Sequence, residues 1–416
     1  MRPRFLLLLL ALLLVACGGR PPALKQPTEP GTGFVTVRGH DLLGPDGKPL
    51  LLRGINLGNW LLPEGYMFYF SKAASPRQIQ QVLKELIGTE AGNAFWRRWH
   101  DTFITRADIR YIRSIGMNVV RVPFDYRLLT PEDHPGVWLE SGFELLDRIV
   151  RWSGEEGLFV ILDMHAAPCG QTGANIDNSY GYPHLFADPA CRARTAEVWR
   201  RIAARYAVER AVIGYDLLNE PLPSDPEYRR LDPLLEPTYK EIAAAIRQVD
   251  REHLLFLGAA QWGHDFGVFQ DVGFDPKLVY TFHRYWAPPV EETIRPQLAF
   301  RDRHDVPLFM GEAGEYDDTW VRRFREALER QDVGWTFWTY KRMDTVRSVR
   351  TYPVPPYWAE LQAYQALIAA PEAEKRKARP PEDHTRMALE ALLRSVRFEN
   401  THVNPGYVRA LGMTSR

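Results

Sequence analysis

The sequence predicts an α/β fold: one (β/α)8 barrel with an N-terminal β-hairpin and a short C-terminal helical extension. Three observations carry this. From Arg53 onward, eight short apolar runs alternate with longer stretches of helical periodicity. The chain has 416 residues, enough for one large barrel. No glycine-rich nucleotide turn follows the first strand, which argues against a doubly wound open sheet.

The start of the chain reads as an export signal. Met1-Arg2-Pro3-Arg4 is basic, and the apolar run from Phe5 to Ala16 is too short for a comfortable membrane span. It ends Leu14-Val15-Ala16-Cys17-Gly18, which resembles a bacterial lipobox. That resemblance implies removal of residues 1–16 and lipid attachment at Cys17. The exported protein is then anchored to a bacterial membrane, at the outer membrane or cell surface. Residues 17–33 are rich in Pro and Gly and suit a tether.

The main domain is expected over residues 34–370. Phe34–Val37 and Leu50–Leu52 flank the turn signal Gly44-Pro45-Asp46-Gly47 and read as a small hairpin. The first barrel strand is Leu52–Leu57. The others are expected at Asn118–Val122, Phe159–Asp163, Ile213–Leu218, Leu254–Gly258, Val279–Phe282, Leu308–Gly311 and Gly334–Trp338. Helices are expected at Pro76–Ile87, Glu90–Phe103, Arg106–Ile115, Phe143–Glu156, Arg192–Ala207, Pro237–Val249, Val290–Arg303, Trp320–Arg330 and Tyr357–Ile368. Residues 371–416 form a charged extension. Its amphipathic stretch Met387–Val396 reads as an appended helix without visible chemistry.

Composition narrows the function. Net charge is zero, with mixed signs and no basic run in the main body, so nothing points to nucleic acid. Aromatic residues are 12% of the chain, including 12 Trp, which suits a site that stacks flat rings. No His-Glu-x-x-His, Cys-x-x-Cys or His-x-His motif suggests a metal, no Gly-x-Ser-x-Gly elbow suggests a serine hydrolase, and no cofactor is implied. Cys169 and Cys191 flank a loop rich in Gly, Asn and Asp. In an oxidising compartment they can pair, and the sequence leaves that open.

In a barrel the site lies at the carboxyl ends of the strands. The polar and aromatic residues there are Asn56, Arg121, His165, Asn219 with Glu220, Gln261 with Trp262, His283 with Tyr285, Glu312, and Trp338. The strand Gly214–Leu218 runs into Asn219-Glu220-Pro221. A proline there stops the strand and restricts the backbone of Glu220. Desolvation should raise that carboxyl toward the range of a general acid. Pro307–Glu312 is a second apolar strand ending in a glutamate. Two such carboxyls on separate strands are what acid-assisted glycoside hydrolysis requires.

These residues resemble glycoside hydrolase family 5, the family of many cellulases and related β-glycanases. The similarity covers roughly Phe34 to Ala369. Its pieces are Asn118-Val119-Val120-Arg121-Val122-Pro123, Asp163-Met164-His165, Leu218-Asn219-Glu220-Pro221, His283-Arg284-Tyr285, Gly311-Glu312 and Trp335-Thr336-Phe337-Trp338. The resemblance implies Glu220 as acid/base and Glu312 as nucleophile, with Arg121, His165, Asn219, His283, Tyr285 and Trp338 lining the cleavage subsite. Arg53–Glu64 and His165–Gly173, with Asp177-Asn178-Ser179, look like the exo-β-1,3-glucanase branch. In that branch the glutamate matching Glu64 helps hold the terminal sugar. The chain departs from the branch at Gly58-Asn59-Trp60 and at Cys169-Gly170-Gln171-Thr172-Gly173, which leaves the linkage open.

Physical chemistry adds roles to these positions. Arg121 beside Glu312 keeps the nucleophile ionised, while burial and the nucleophile's charge raise Glu220. Asn219 can donate to a sugar 2-hydroxyl, and Asn56 joins the substrate-binding set. Tyr285 can hydrogen-bond the nucleophile, and His283 can orient the acid/base. The expected protein is a monomeric, retaining β-glycosidase that hydrolyses β-glucan by double displacement. It is expected to be exo-acting on β-1,3- or related linkages. An endo-β-1,4-glucanase, mannanase or glucosyl-lipid hydrolase of the same family is the alternative. A non-catalytic carbohydrate-binding lipoprotein is a further one, against which the intact glutamate pair speaks.

Overall fold

The computed structural model describes residues 33–414; the leader, Cys17 and the tether up to residue 32 lie outside them. Eight parallel strands close into a barrel. They are Arg53–Asn56 (β3), Val119–Asp125 (β4), Phe159–Ala166 (β5), Val212–Asp216 (β6), Leu254–Gly258 (β7), Leu278–Arg284 (β8), Leu308–Ala313 (β9) and Gly334–Phe337 (β10). Each pairs with its neighbour in chain order, and β10 closes on β3. In β4, Val120, Val122 and Phe124 pack outward against the helical layer, while Val119 points into the lumen. Burial on both faces makes such strands read as continuous apolar runs.

The helices follow local signals. Pro76–Ile87 starts with Pro at its first turn and a capping box between Ser75 and Gln78, and it buries Ile79, Val82, Leu83 and Leu86. The expected helix at Val290–Arg303 divides instead into a 3-10 turn, Glu291–Ile294, and an α-helix, Arg295–His304. Pro296 sets the break, because it lacks the N–H needed inside a continuous helix but fits a first turn.

The N-terminal hairpin is built differently from the sequence expectation. Thr36–Arg38 (β1) and Asp41–Leu43 (β2) pair across Gly39-His40, where Gly39 has φ +59. A tight two-residue turn needs that left-handed geometry. Gly44–Gly47 makes a second turn, which returns Leu50 to bond Leu42. Val35 and Leu42 pack beneath Leu52, Val119, Ile161, Ile213, Leu254, Phe256, Val279 and Phe309. The hairpin thereby plugs the amino end of the barrel, leaving the carboxyl end open for chemistry.

The C-terminal extension is more than an appended helix. Glu382–Ser395 forms the expected helix, and His402–Val403 (β13) pairs with Arg350–Tyr352 (β12), which pairs with Lys341–Met343 (β11). Lys341 is fully buried and donates to the carbonyls of Phe103 and Val396, 2.8 Å from Asp108. The Tyr407 hydroxyl donates to the Trp338 carbonyl at 3.1 Å. The extension therefore braces the segment just past β10 that carries Trp338.

Candidate active site

Arg121, on β4, is the hub of the carboxyl-end rim and has no exposed surface. Its Nη1 donates to Glu312 Oε1 at 2.6 Å and to Asn56 Oδ1 at 3.0 Å. Its Nε donates to Asp216 Oδ2 at 2.8 Å, and its Nη2 to Asn219 Oδ1 at 2.9 Å. Asp163 Oδ1 lies 3.1 Å from the same Nη2. Burial works against the guanidinium charge, but Asp163, Asp216 and Glu312 outweigh it and raise the Arg121 pKa. Burial in turn pushes Asp163 and Asp216 up to about 7 each, against the pull of Arg121. The raised values of Asp163 and Asp216 lessen the negative charge crowded around one cation.

Glu312 reaches this rim through a register shift. Phe282 of β8 opposes Met310 of β9, but His283 opposes Glu312, so Gly311 is left over as a bulge. Met310 packs outward into the helical layer. The bulge brings Glu312 to Arg121 and to Tyr285, whose hydroxyl donates to Oε2 at 3.0 Å. Only glycine fits at 311, because a Cβ there would lie 2.8 Å from His283 Nε2 and Thr281 Oγ1.

Glu220 lies beyond the end of β6 and has φ +43. The sequence leads one to expect the extended backbone usual before proline, so this left-handed conformation is a departure. Surrounding contacts hold it. Asn219 N–H donates to the Met164 carbonyl, Leu222 N–H to the Gln171 carbonyl, and Trp262 N–H to the Leu222 carbonyl. The Gln171 side chain bonds the carbonyls of both His165 and Asn219. Strain of about 1–3 kcal/mol is commonly stored at such functional turns. Cys169 and Cys191 form a disulfide, tying this loop to the helix Pro189–Tyr206.

Burial pushes Glu220 up to about 7, with His165 and Arg121 opposing the rise. The expected contribution from the charge on Glu312 is not among the causes; desolvation accounts for the shift. His283 Nδ1 lies 2.8 Å from Glu220 Oε1 and 3.7 Å from Glu312 Oε2. One carboxylate oxygen of each glutamate and a ring nitrogen of His283 all fall within 4.8 Å of one another. Burial lowers His283 to about 3 and His165 to about 4, so both imidazoles are neutral at neutral pH. His165 is held between Asp163 Oδ2, 2.7 Å from Nδ1, and the Asn219 amide, 3.2 Å from Nε2. It stacks on Trp338 at 5.7 Å.

A protonated Glu220 is the form that can deliver a proton. Its raised pKa therefore predicts that kcat/KM falls as pH rises through about 7. A pH–rate profile with an unactivated glycoside checks this; a rate still climbing above pH 8 contradicts it.

A cavity of about 500 Å³ opens above the pair. Glu64, Tyr66, His165, Glu220, His283, Tyr285, Glu312 and Trp338 line it, together with Ile176, Trp262, His264, Trp286 and Glu315. The family model for cellulase, glycosyl hydrolase family 5, matches residues 79–344. The chain belongs to this family. A β-xylosidase of Phanerodontia chrysosporium is 31% identical over 239 residues, which are 57% of this chain and 48% of that protein. Endoglucanase C of Acetivibrio thermocellus is 28% identical, over 60% of this chain and 88% of that one. A probable glucan 1,3-beta-glucosidase A of Aspergillus fumigatus is 28% identical, over 56% and 57%. The chain thus spans about half the length of the first and third of these relatives. A crystal structure of endogalactoceramidase shares the fold, with a TM-score of 0.60, 20% identity, and coverage of 91% of this chain and 84% of that one.

Arg121, placed by the sequence beside Glu312, does pair with it, and together with Asn56 and Asn219 it forms a layer directly behind the cavity wall. Arg121, Asn56 and Asn219 have almost no exposed surface and are absent from the cavity wall. Their polar groups are committed to each other, to the carboxylates and to His165. Asn56 Nδ2 also donates to the Gly311 carbonyl at 3.0 Å. They position Glu312 and His165 from behind the cavity wall. Asp216, His264, Trp286 and Glu315 were not singled out by the sequence reading. Asp216 sits two residues before the end of an apolar run, where a lone carboxylate was the available signal. Glu315 was hidden by its proximity to Glu312. Oxygens and nitrogens of Asp163, His165 and Glu312 also cluster within 4.8 Å, but Arg121 already supplies a cation to both carboxylates.

Glu64 is 6% exposed, and its Oε1 is buried without a hydrogen-bond partner among the described residues. Burial, then Glu312, Glu315 and Glu220, push its carboxyl well up, with Arg342 opposing. The carboxyl thus faces the cavity with hydrogen-bonding capacity unused.

Proposed function

We propose that this protein is a retaining β-glycosidase that releases a terminal sugar from a β-glucan, with β-1,3 or a related linkage. The observation that carries the reading is the Glu220–Glu312 pair, with carboxylate oxygens within 4.8 Å. Retaining enzymes hold their two carboxyl groups about 5–5.5 Å apart, too close for an intervening water. Glu312, paired with Arg121 and bonded by Tyr285, attacks the anomeric carbon. Glu220 gives its proton to the leaving oxygen, and His283 keeps that carboxyl aimed. Water, deprotonated by Glu220, then opens the glycosyl ester on Glu312. Trp338, stacked on His165, offers an apolar face beneath the sugar.

Exo action is supported by the segment that follows β3. Glu64 and Tyr66 close one side of the cavity, and the Trp338 Nε1–H donates to the Tyr66 hydroxyl at 2.7 Å. The printed name of the Aspergillus relative, a probable glucan 1,3-beta-glucosidase, supports the choice of glucan. The test is the anomeric configuration of the first product, read by proton NMR on an aryl β-glucoside. The β-anomer is expected first; initial α-anomer overturns the retaining mechanism.

Lipid anchoring at Cys17 is part of the proposal and rests on the sequence alone. Cys17→Ala is expected to move the protein from the membrane fraction to the soluble fraction with unchanged specific activity. A wild-type protein that is wholly soluble, with an unmodified N-terminus, overturns it.

A further inference from the structure

A second cavity, of about 410 Å³, adjoins the catalytic one. Tyr285, Trp286 and Glu315 are wall to both. Glu220, His165, His283 and Trp262 line only the first. The acid/base stands on the side of the leaving group. The second cavity therefore extends the site in the other direction, past the sugar that Glu312 attacks.

A single ion pair stands at the boundary. The Arg342 guanidinium bonds the Glu315 carboxylate. It also lies 5.0 Å over the ring of Tyr66, which is wall to the catalytic cavity. Arg347 holds the pair from behind, donating to the Glu315 carbonyl at 3.2 Å. Glu315 has φ +61, a left-handed conformation that a non-glycine residue adopts only when its surroundings impose it. Polar atoms on both sides are unsatisfied: Arg342 Nε and Glu64 Oε1 are buried without hydrogen-bond partners among the described residues. Buried polar groups of this kind usually find a partner, and sugar hydroxyls can supply one. Trp286, 86% exposed, adds an open ring face to the second cavity.

We propose that the Glu315–Arg342 pair is a partition. It limits the sugar bound ahead of the cleaved bond to one unit, and the solvent-open cavity behind it is a subsite for a second neutral hexopyranosyl unit that the pair cuts off from the catalytic cavity. This rests on the exo-glycosidase reading above. Glu315 and Arg342 set substrate length and take no part in bond cleavage.

The experiment compares wild type, Glu315→Gly and Arg342→Ala on the 4-nitrophenyl β-glycosides of glucose and of the β-1,3-, β-1,4- and β-1,6-linked diglucoses, with 4-nitrophenol as the leaving group when the whole diglucosyl unit is released. Glu315→Gly deletes the carboxylate and suits the positive φ. Wild type is expected to release glucose only. Each variant is expected to release intact disaccharide from at least one diglucoside, with its kcat/KM relative to the monoglucoside up at least ~10-fold. Calorimetry with the free disaccharides reads the same partition without catalysis: they should bind more tightly than glucose only in the variants. The proposal is overturned if folded variants keep the wild-type product pattern and binding order, or if wild type already releases disaccharide. A wild type that cleaves no aryl β-glucoside counts against the glycosidase reading. Calorimetry still decides the partition in that case.

Discussion

Replacing Glu312 with alanine is expected to lower kcat by roughly 10⁴- to 10⁶-fold, the scale seen when a covalent nucleophile is removed. Without that carboxylate the glycosyl ester cannot form, and Glu220 alone has no partner to attack the anomeric carbon. The fold should survive, because Arg121 keeps Asp216, Asp163 and Asn219 around it. Azide offers a chemical check. In Glu312→Ala it can enter the vacated space and displace an activated aryl leaving group, giving the inverted α-glycosyl azide. In Glu220→Ala the nucleophile remains, so azide intercepts the glycosyl ester and gives the β-glycosyl azide. Product configuration by NMR thus assigns the two roles separately. Near-normal turnover by Glu312→Ala, or the same azide anomer from both variants, contradicts the assignment.

The second large effect is expected at Glu64. Its carboxyl is buried in the cavity wall with one oxygen unpartnered, and burial among three glutamates favours its protonated form. Placed there, it can hydrogen-bond two adjacent sugar hydroxyls. Losing both bonds in Glu64→Ala should cost about 2–4 kcal/mol of transition-state binding, or roughly 30- to 1000-fold in kcat/KM on short β-glucosides. Glu64→Gln keeps one donor and one acceptor in a similar shape and should lose less. If Glu64 acts instead as a charged acceptor, the glutamine variant will fall as far as alanine. Wild type is expected to release single sugars from a long β-glucan without a rapid drop in viscosity. Internal cutting, with a silent Glu64→Ala, would remove the exo reading but leave the retaining mechanism standing.

The barrel was legible because its cause is local. Apolar runs of strand length alternate with helical stretches, and each carries its own caps and turns, such as the Ser75–Gln78 box. The two glutamates were legible for the same reason, since each follows an apolar run directly in sequence. The hairpin turn was misplaced because two glycine-containing turns, at Gly39 and at Gly44–Gly47, lie within a few residues. The stronger signal was not the one that joins the two strands. Asn56, Arg121 and Asn219 were recognised as site residues, and the Arg121–Glu312 contact was anticipated, but their mutual network was not. Whether a polar group faces a cavity or a neighbouring side chain depends on packing, which strand position alone does not reveal.

By itself the sequence determined the barrel, the rim at its carboxyl end, and the Glu220–Glu312 pair. These follow from periodicities and adjacent residues. Tertiary structure alone decided how those groups are aimed and charged. The leftover Gly311 turns Glu312 toward the rim, although strict alternation from Phe309 would send it outward with Met310. Arg121 meets Asp216 and Glu312 across 95 and 191 residues of chain. The left-handed backbone at Glu220 is imposed by loops following other strands, and its raised pKa comes from the burial they create. Desolvation and ion pairing depend on what the closed barrel brings together, and so they appear only once it has closed.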